Sequence, residues 1–387
     1  MGENTHGERP RVLIAGGGVA ALEAALALRD LAGERLAVEL CSPRDDFVYR
    51  PFAVGEPYAA ASLLRYDLRS LAERIGASFR PGGVSSVEPE ARKASSRDGA
   101  VLPYDYLLVA PGARMLWAVP GAVTFWGVAD DGGVGGVVRR LRAGGLRDVV
   151  FTMPGGRNWA LPLYELALLA AAVLAKSGIE DAKLTVVTPE DAPLELFGRA
   201  VGVQMWELLG EHGIEVVTGA SPVAFEDGCL QVAPGEPIET GAVVSLPRLE
   251  GRRIDGLPHD EEGFLRVDEH GAVLGVEGVY AAGDVTSFPV KQGGIATQEA
   301  DVAAEAIAAA AGCEVEPQPF DPVLRGVLWT GGRPRYLYGR PAGGHGEVSK
   351  LSEEAPWPEA EGKIIGRYLT PFLAGLPDER ARSLVFG

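Results

Sequence analysis

Cysteine is scarce: three among 387 residues, Cys41, Cys229 and Cys313, with no CxxC or CxxxxC pair. Neither a structural zinc site nor a local redox dithiol is therefore expected. Histidine is scarce too, five in all and none in an HExxH-type spacing, so no metal is expected. Positive charge is outweighed, with 36 Lys and Arg against 53 Asp and Glu and a formal net charge of -17. No basic run or stripe is present. Nucleic acid is thus not an expected partner, and attraction to anionic lipid by charge alone is disfavoured. Long hydrophobic runs are missing. The most apolar stretch, 159–175, holds Pro162, Tyr164 and Glu165 and is short for a bilayer span, so it reads as a buried helix. The opening MGENTHGERP is polar, without the apolar centre of a signal peptide. The expectation is a cytoplasmic, globular protein of two to three domains.

Glycine, by contrast, is plentiful at 52 residues, and one cluster organises the chain. Residues 11–29 read RVLIAGGGVAALEAALALR. The β-branched run 11–15 predicts a buried parallel strand, and 20–28 an apolar helix interrupted mainly by Glu23. Between them Gly16 allows a tight turn, Gly17 follows, and Gly18 lets backbone approach a pyrophosphate. Ala20 opens the helix, and Ala21 takes the third small position, where helix packs on strand. Free N–H groups and the positive dipole end at the helix start suit phosphates.

The next strand, 36–41, ends at Ser42-Pro43-Arg44, where dinucleotide sites usually place an Asp or Glu for the ribose. Glu39 falls mid-strand, so Ser42 takes the ribose position with one hydroxyl. Residues 46–58, DFVYRPFAVGEPY, read as a loop whose Phe47, Tyr49 and Phe52 pack the core, with a substrate side the other role open to Tyr49 and Phe52. An amphipathic helix over 67–76 and alternating strands with turns over 78–102 follow. A buried strand over 104–109 ends in Ala110-Pro111-Gly112.

A second α/β unit starts near Arg147, with strands over 148–152, 183–187 and 214–217 and helices over 159–176 and 197–212. Its turn reads GGRNWA rather than GxGxxG, because Trp159 and Leu161 stand where small residues belong. Glu190 falls at its ribose-acid position. Further on, GVYAAGDV over 278–285 is a strand ending in Gly283-Asp284, followed by an alanine-rich helix over 295–311. A carboxylate there can bind a polyol, and the helix N-terminus can stabilise negative charge on a reduced cofactor ring. Capping the helix is the other role open to Asp284. Residues 317–357 read as irregular, with a hairpin over 331–340.

Together, IAGGGVAALEAA, LPYDYLLVAPGA and GVYAAGD resemble the two-dinucleotide-binding-domain flavoproteins of the pyridine nucleotide-disulfide oxidoreductase superfamily, over about 11–311. The resemblance implies an α/β fold of two Rossmann-like domains plus a C-terminal segment. An FAD-binding domain would comprise 10–122 and 245–316, a second nucleotide-binding-like domain 123–244, and the C-terminal segment 317–387. It places the first glycine loop on the FAD pyrophosphate and Ala110, Pro111 and Gly112 against FAD, with Pro111 where Thr is usual. Asp284 would hold the ribityl chain, and Val84 would bring backbone near adenine. Within the superfamily the chain looks most like the sulfide:quinone oxidoreductase, flavocytochrome c sulfide dehydrogenase and type II NADH dehydrogenase branch. There Arg50-Pro51 would pass the flavin, and FPVKQGGIATQEA, with Gly294 and Ile295, would carry the flavin-facing helix N-terminus. GKIIGRYLTPFLAGL, 362–376, falls where that branch shapes a quinone site and touches the membrane.

The departures are the redox cysteines: Trp159 lies in the segment where sulfide oxidisers carry one. The implied function is an FAD-dependent oxidoreductase passing electrons from a small-molecule donor to a quinone or other acceptor. Lys291 would be the catalytic residue, placing positive charge near the reduced ring, with Trp159, Tyr49 and Phe52 on the substrate side. Two readings stay open beside it: a non-catalytic or regulatory flavin-binding protein, and an NAD(P)H:acceptor oxidoreductase. Peripheral contact with the inner face of a membrane through 362–376 and a homodimer are also open.

Overall fold

Short apolar runs, each closed by glycine, serine or proline, become the strands of two parallel sheets. A computed structural model describes residues 9–127, 132–340, 349–357 and 362–376. The first sheet contains β1 (Arg11–Ala15), β2 (Ala37–Ser42), β3 (Ser78–Pro81) and β4 (Tyr106–Val109). It is completed by β10 (Val279–Ala281), which returns from far along the chain, in the order β10-β4-β1-β2-β3. Every pairing in it is parallel. The second sheet contains β5 (Val123–Thr124), β6 (Asp148–Thr152), β7 (Lys183–Val187), β8 (Ile214–Val217) and β9 (Ala242–Ser245), ordered β5-β9-β6-β7-β8 and again all parallel. Parallel strands covered on both faces need continuous apolar sequence. β1, with four of its five residues buried, and β9, buried throughout, supply it.

Among the described residues, seven α-helices accompany the sheets: α1 (Val19–Ala32), α2 (Leu68–Ile75), α3 (Val134–Arg142), α4 (Leu161–Lys176), α5 (Arg199–Glu211), α6 (Gly293–Ala310) and α7 (Leu369–Ala374). Asp67 caps α2 by accepting from the Ser70 amide, and Gly76 closes it in the left-handed region. α1 and α6 pack closely because small side chains face each other. A Cβ added at Gly283 would lie 3.0 Å from the Ala20 Cβ and 3.4 Å from the Ala296 Cβ.

Two stretches are more regular than their composition suggests. Residues 317–357, expected to be irregular, contain an antiparallel sheet of β11 (Leu324–Leu328), β12 (Arg335–Gly339) and β13 (Lys350–Ser352). Its hairpin begins at Leu324 rather than at 331. Leu324, Val327, Leu328 and Leu337 are buried, while Gly326 and Gly339 let the sheet lie on Leu161 and Phe197. Tertiary burial therefore outweighs the turn-rich composition. The loop expected over 46–58 begins as the strand Asp46–Tyr49, paired with Leu64–Asp67, and continues as the 3-10 turns Arg50–Tyr58.

The segment 362–376 lies against the body of the protein. Lys363, Ile364 and Leu369 are buried, and Tyr368, Phe372, Leu373 and Leu376 pack on the core. The apolar stripe that suggested a membrane surface thus has an intramolecular partner. Among the described residues, no helix is long and apolar enough to cross a membrane.

Candidate functional site

The β1–α1 turn is built by collision avoidance. Gly16 donates its amide to the Cys41 carbonyl at 2.9 Å, and a Cβ there would sit 2.1 Å from the Ala110 carbonyl oxygen. A Cβ at Gly17 would meet Leu68 and the Ser42 hydroxyl at 2.6 and 2.8 Å. At Gly18, which caps α1 without any side-chain hydrogen bond, a Cβ would have nothing within 4 Å. The first two glycines let chain elements close on each other. The third faces open space, where the unsatisfied first-turn amides of α1 can meet an anion.

That space is a cleft of about 460 Å³ at the carboxyl ends of both sheets. Of the residues singled out above, Gly16, Gly17, Gly18, Ala20, Ser42, Pro43, Arg44, Arg50, Pro51, Ala110, Pro111, Gly112, Trp159, Gly283, Asp284 and Lys291 line it. Val84, Gly294, Ile295, Tyr49 and Phe52 do not. Val84 belongs to the ladder Val84–Glu88, paired with Lys93–Ser96. Gly294 and Ile295 lie inside the first turn of α6, which starts two residues before 295, so Gln292, Gly293 and Ala296 face the cleft instead. Tyr49 is buried, and its hydroxyl accepts from the Lys363 and Ile364 amides at 3.0 and 2.9 Å. Its ring meets Phe52 edge-on at 5.0 Å, and Phe52 leans on Trp329 at 5.3 Å, so the pair backs the wall from behind. Glu39 accepts from Arg80 and is turned away from the cleft. A larger but more open depression of about 740 Å³ lies beside 88–92 and 275–277. It holds none of the sequence candidates, and its charged side chains are Glu88, Glu90, Arg92 and Glu277.

The cleft is positively charged in a strongly acidic protein. Five cationic side chains line it (Arg44, Arg50, Arg252, Lys291 and Lys363) against three carboxylates, Asp46, Glu165 and Asp284. This excess suits a dianion such as a pyrophosphate. Asp284 is half-buried; burial pushes its pKa up while Lys291 and Arg50 oppose the rise. Lys291 is 6% exposed, donates to the Thr286 carbonyl at 2.5 Å and stands 4.3 Å over the Phe264 ring. Burial draws its pKa down to about 8, against the pull of Asp284 and Glu299. Its amide donates to the Asn158 carbonyl at 3.2 Å, which stitches the β6–α4 turn to the entry of α6.

Sequence reasoning missed Arg252, Asn158, Trp126 and the pair Glu165–Lys363 as parts of this cleft. Lys363 Nζ contacts both carboxylate oxygens of Glu165, at 2.5 and 2.6 Å, and stands 4.3 Å over the Trp329 ring. A lone carboxylate in the most apolar helix was a visible signal; its partner, 198 residues away, was not.

The second sheet's turn is built differently. Trp159 packs on Phe197 with ring centroids 5.8 Å apart. Glu190, past the end of β7, faces inward, accepting from the Tyr164 hydroxyl at 2.5 Å and from the Thr188 hydroxyl at 3.0 Å. Burial raises its pKa from 4.5 to about 7. A raised carboxylate contributes stability that is full below the unfolded value and is lost as pH rises through the folded one. Glu190→Gln removes this titration. Relative to the parent it should gain stability between pH 5 and pH 8, by up to about 3 kcal/mol. Denaturant melts of both proteins at the two pH values measure the gain, and a pH-independent difference would contradict the buried carboxylate.

Comparisons with known proteins bear on the family resemblance and the fold. The family model for pyridine nucleotide-disulphide oxidoreductases matches residues 164–310. An NADH dehydrogenase-like protein of Mycobacterium tuberculosis is 28% identical over 294 residues, covering 72% of this chain and 73% of that protein. The structure of the sulfide:quinone oxidoreductase of Aquifex aeolicus aligns with a TM-score of 0.77 at 19% identity, covering 89% of this chain and 87% of the other. A ferredoxin reductase of Rhodopseudomonas palustris aligns with a TM-score of 0.65 at 19% identity, covering 86% and 83%. These structural likenesses establish the fold.

Proposed function

We propose that the chain, which resembles the pyridine nucleotide-disulphide oxidoreductases over 164–310 and an NADH dehydrogenase-like protein over 72% of its length, is an FAD-dependent oxidoreductase of that superfamily. One observation carries the reading. The glycine cradle, a half-buried strand-end carboxylate and an excess of positive charge converge on a single cleft. The FAD-binding unit would comprise 10–122 and 245–316, beside a second nucleotide-type unit over 123–244.

FAD would supply the electron-carrying chemistry, while the protein supplies binding, orientation and electrostatics. Gly16 to Gly18 and the start of α1 would hold the pyrophosphate, helped by Arg50. Ser42 to Arg44 would border the adenosine ribose, and Asp284 would accept from the ribityl hydroxyls. Ala110, Pro111 and Gly112 would lie along the cofactor, and Lys291 would hold positive charge where the ring becomes electron-rich. Phe125, Trp126, Met115 and Trp159 supply apolar lining that would exclude water from the ring. None of the three cysteines lines the cleft, so donor oxidation would not pass through a cysteine persulfide or dithiol here.

The electron donor and acceptor are small molecules in this reading, a quinone among the acceptors. Similarity to an NADH dehydrogenase-like protein favours NAD(P)H as donor, whereas the inward-facing Glu190 favours a donor entering past Trp159. The visible spectrum of purified protein reconstituted with FAD, recorded anaerobically before and after NADH, tests both points. A bound flavin that bleaches rapidly supports NADH as donor; a bound flavin that stays oxidised supports the other entry. Asp284→Ala should raise the FAD dissociation constant about tenfold, the loss of a charge-assisted hydrogen bond. Unchanged FAD affinity would remove the role given to Asp284, and failure of the parent chain to take up FAD would overturn the flavin reading. Steady-state turnover with any donor–acceptor pair separates an enzyme from a non-catalytic flavin binder.

A further inference from the structure

Beneath the cofactor cradle lies a carboxylate that the reading above leaves without a role. Glu299, on α6, is 6% exposed. Its Oε2 accepts from the Gly283 amide at 2.6 Å and its Oε1 from the Thr286 hydroxyl at 2.9 Å. The Thr286 carbonyl in turn accepts from Lys291 Nζ at 2.5 Å. One side chain therefore grips both ends of the turn that carries Asp284, and that same turn docks Lys291.

We propose that Glu299 is a positioning residue of the cofactor site, fixing the Gly283–Asp284 turn and keeping Lys291 protonated where the cleft carries its positive charge. The proposal rests on the flavin reading for the identity of the cofactor alone. Lys291 is faced by Asp284, Glu299 and Asp260, which favour its charged form, and by Arg157, which opposes it. Burial opposes it more strongly. The charge of Arg50 also favours the ionised form of Asp284. Burial raises Glu299 to about 7, so above that pH its negative charge adds to that of Asp284 in favouring the charged form of Lys291. Removing that charge leaves Asp284 and Asp260 to oppose both burial and Arg157.

The test uses Glu299→Gln, which keeps the size and one oxygen to accept from the Gly283 amide, turns the other contact into an NH2 donating to the Thr286 hydroxyl, and deletes the charge, beside Glu299→Ala. Competitive acetylation of Lys291 across pH, read by peptide mass spectrometry on cofactor-free protein, reports its protonation directly. In Glu299→Gln the labelling midpoint should fall by about one pH unit, while FAD affinity changes less than about threefold. The reduction potential of bound FAD should drop below the parent's between the two midpoints, because the charge opposite the reduced ring is lost earlier. Glu299→Ala should also weaken FAD about tenfold through the loosened turn. If Glu299→Ala does not fold, Glu299→Gln decides. An unmoved Lys291 midpoint in Glu299→Gln overturns the proposal. A chain that binds no FAD defeats the flavin reading instead, and the labelling shift still reports the Glu299–Lys291 coupling.

Discussion

Replacing Gly16 with alanine should cost about 3 kcal/mol or more of stability, whereas replacing Gly18 with valine should leave the fold within about 1 kcal/mol and abolish high-affinity FAD binding. The two glycines stand two residues apart and differ in what surrounds them. At Gly16 the new methyl would fall 2.1 Å from a backbone oxygen of Ala110, and the amide of Ala110 is itself bonded to the Ala15 carbonyl at 2.9 Å. Relief would require β1 and β4 to separate at the ends that present the cleft, and backbone cannot rotate away as a flexible side chain can. Gly18 is in extended backbone (φ -97°, ψ -164°) with open space around its missing Cβ. A side chain there enters only the volume assigned to the pyrophosphate. Urea melts of the cofactor-free proteins and FAD titrations measure the two effects separately. Gly16→Ala melting like the parent would refute the close approach, and Gly18→Val taking up FAD at parental affinity would move the pyrophosphate elsewhere.

Glu165→Ala should destabilise the protein by about 3–5 kcal/mol, the cost of leaving one charge of a buried pair uncompensated. Lys363 is 8% exposed and Glu165 1% exposed, so neither can find water. Glu165 also accepts from the Trp329 amide at 2.8 Å, and that donor would be orphaned as well. Lys363→Met should be similarly costly at alkaline pH but milder at acid pH. Burial already pushes the Glu165 pKa up, and without Lys363 to oppose it the carboxyl takes a proton more readily. The double variant Glu165→Leu with Lys363→Met should recover most of the loss, since two apolar side chains remove both desolvation costs. Thermal melts of the two single variants and the double variant give the coupling directly. A Glu165→Ala protein within about 1 kcal/mol of the parent would show that the pair is solvated. Because Lys363 ties the 362–376 segment to α4, the single variants should also expose that segment to proteolysis.

Much of the architecture was legible from local sequence. The run 11–15, the triple glycine and the alanine-rich helix after it specify a strand–turn–helix over a span of about twenty residues. Backbone sterics and the periodicity of side chains act over just that range. Gly283-Asp284 could be read for the same reason, as could Ser42 at the end of β2, and all three line the cleft. The start of α6 was misplaced by two residues because Gln292 is the cap, its side chain accepting from the Ile295 amide; a glutamine carries little capping signal in sequence. Tyr49 and Phe52 looked like substrate-facing aromatics, since composition cannot distinguish an aromatic in a cleft wall from one behind it. The β11–β13 sheet was hidden by the glycines and prolines in and around it, which propensity reads as turns, although Gly326 and Gly339 here allow close packing on Leu161 and Phe197.

What the sequence determined alone, then, is the set of local units and the glycine geometry between β1 and α1, because those obey constraints within one or two turns of chain. Only the tertiary structure could set the charge of the cleft. Lys363 meets Glu165 across 198 residues, and Glu299 reaches the Gly283 amide across 16. Which buried charge finds which partner depends on how the sheets and helices pack, and no periodicity in the chain encodes that.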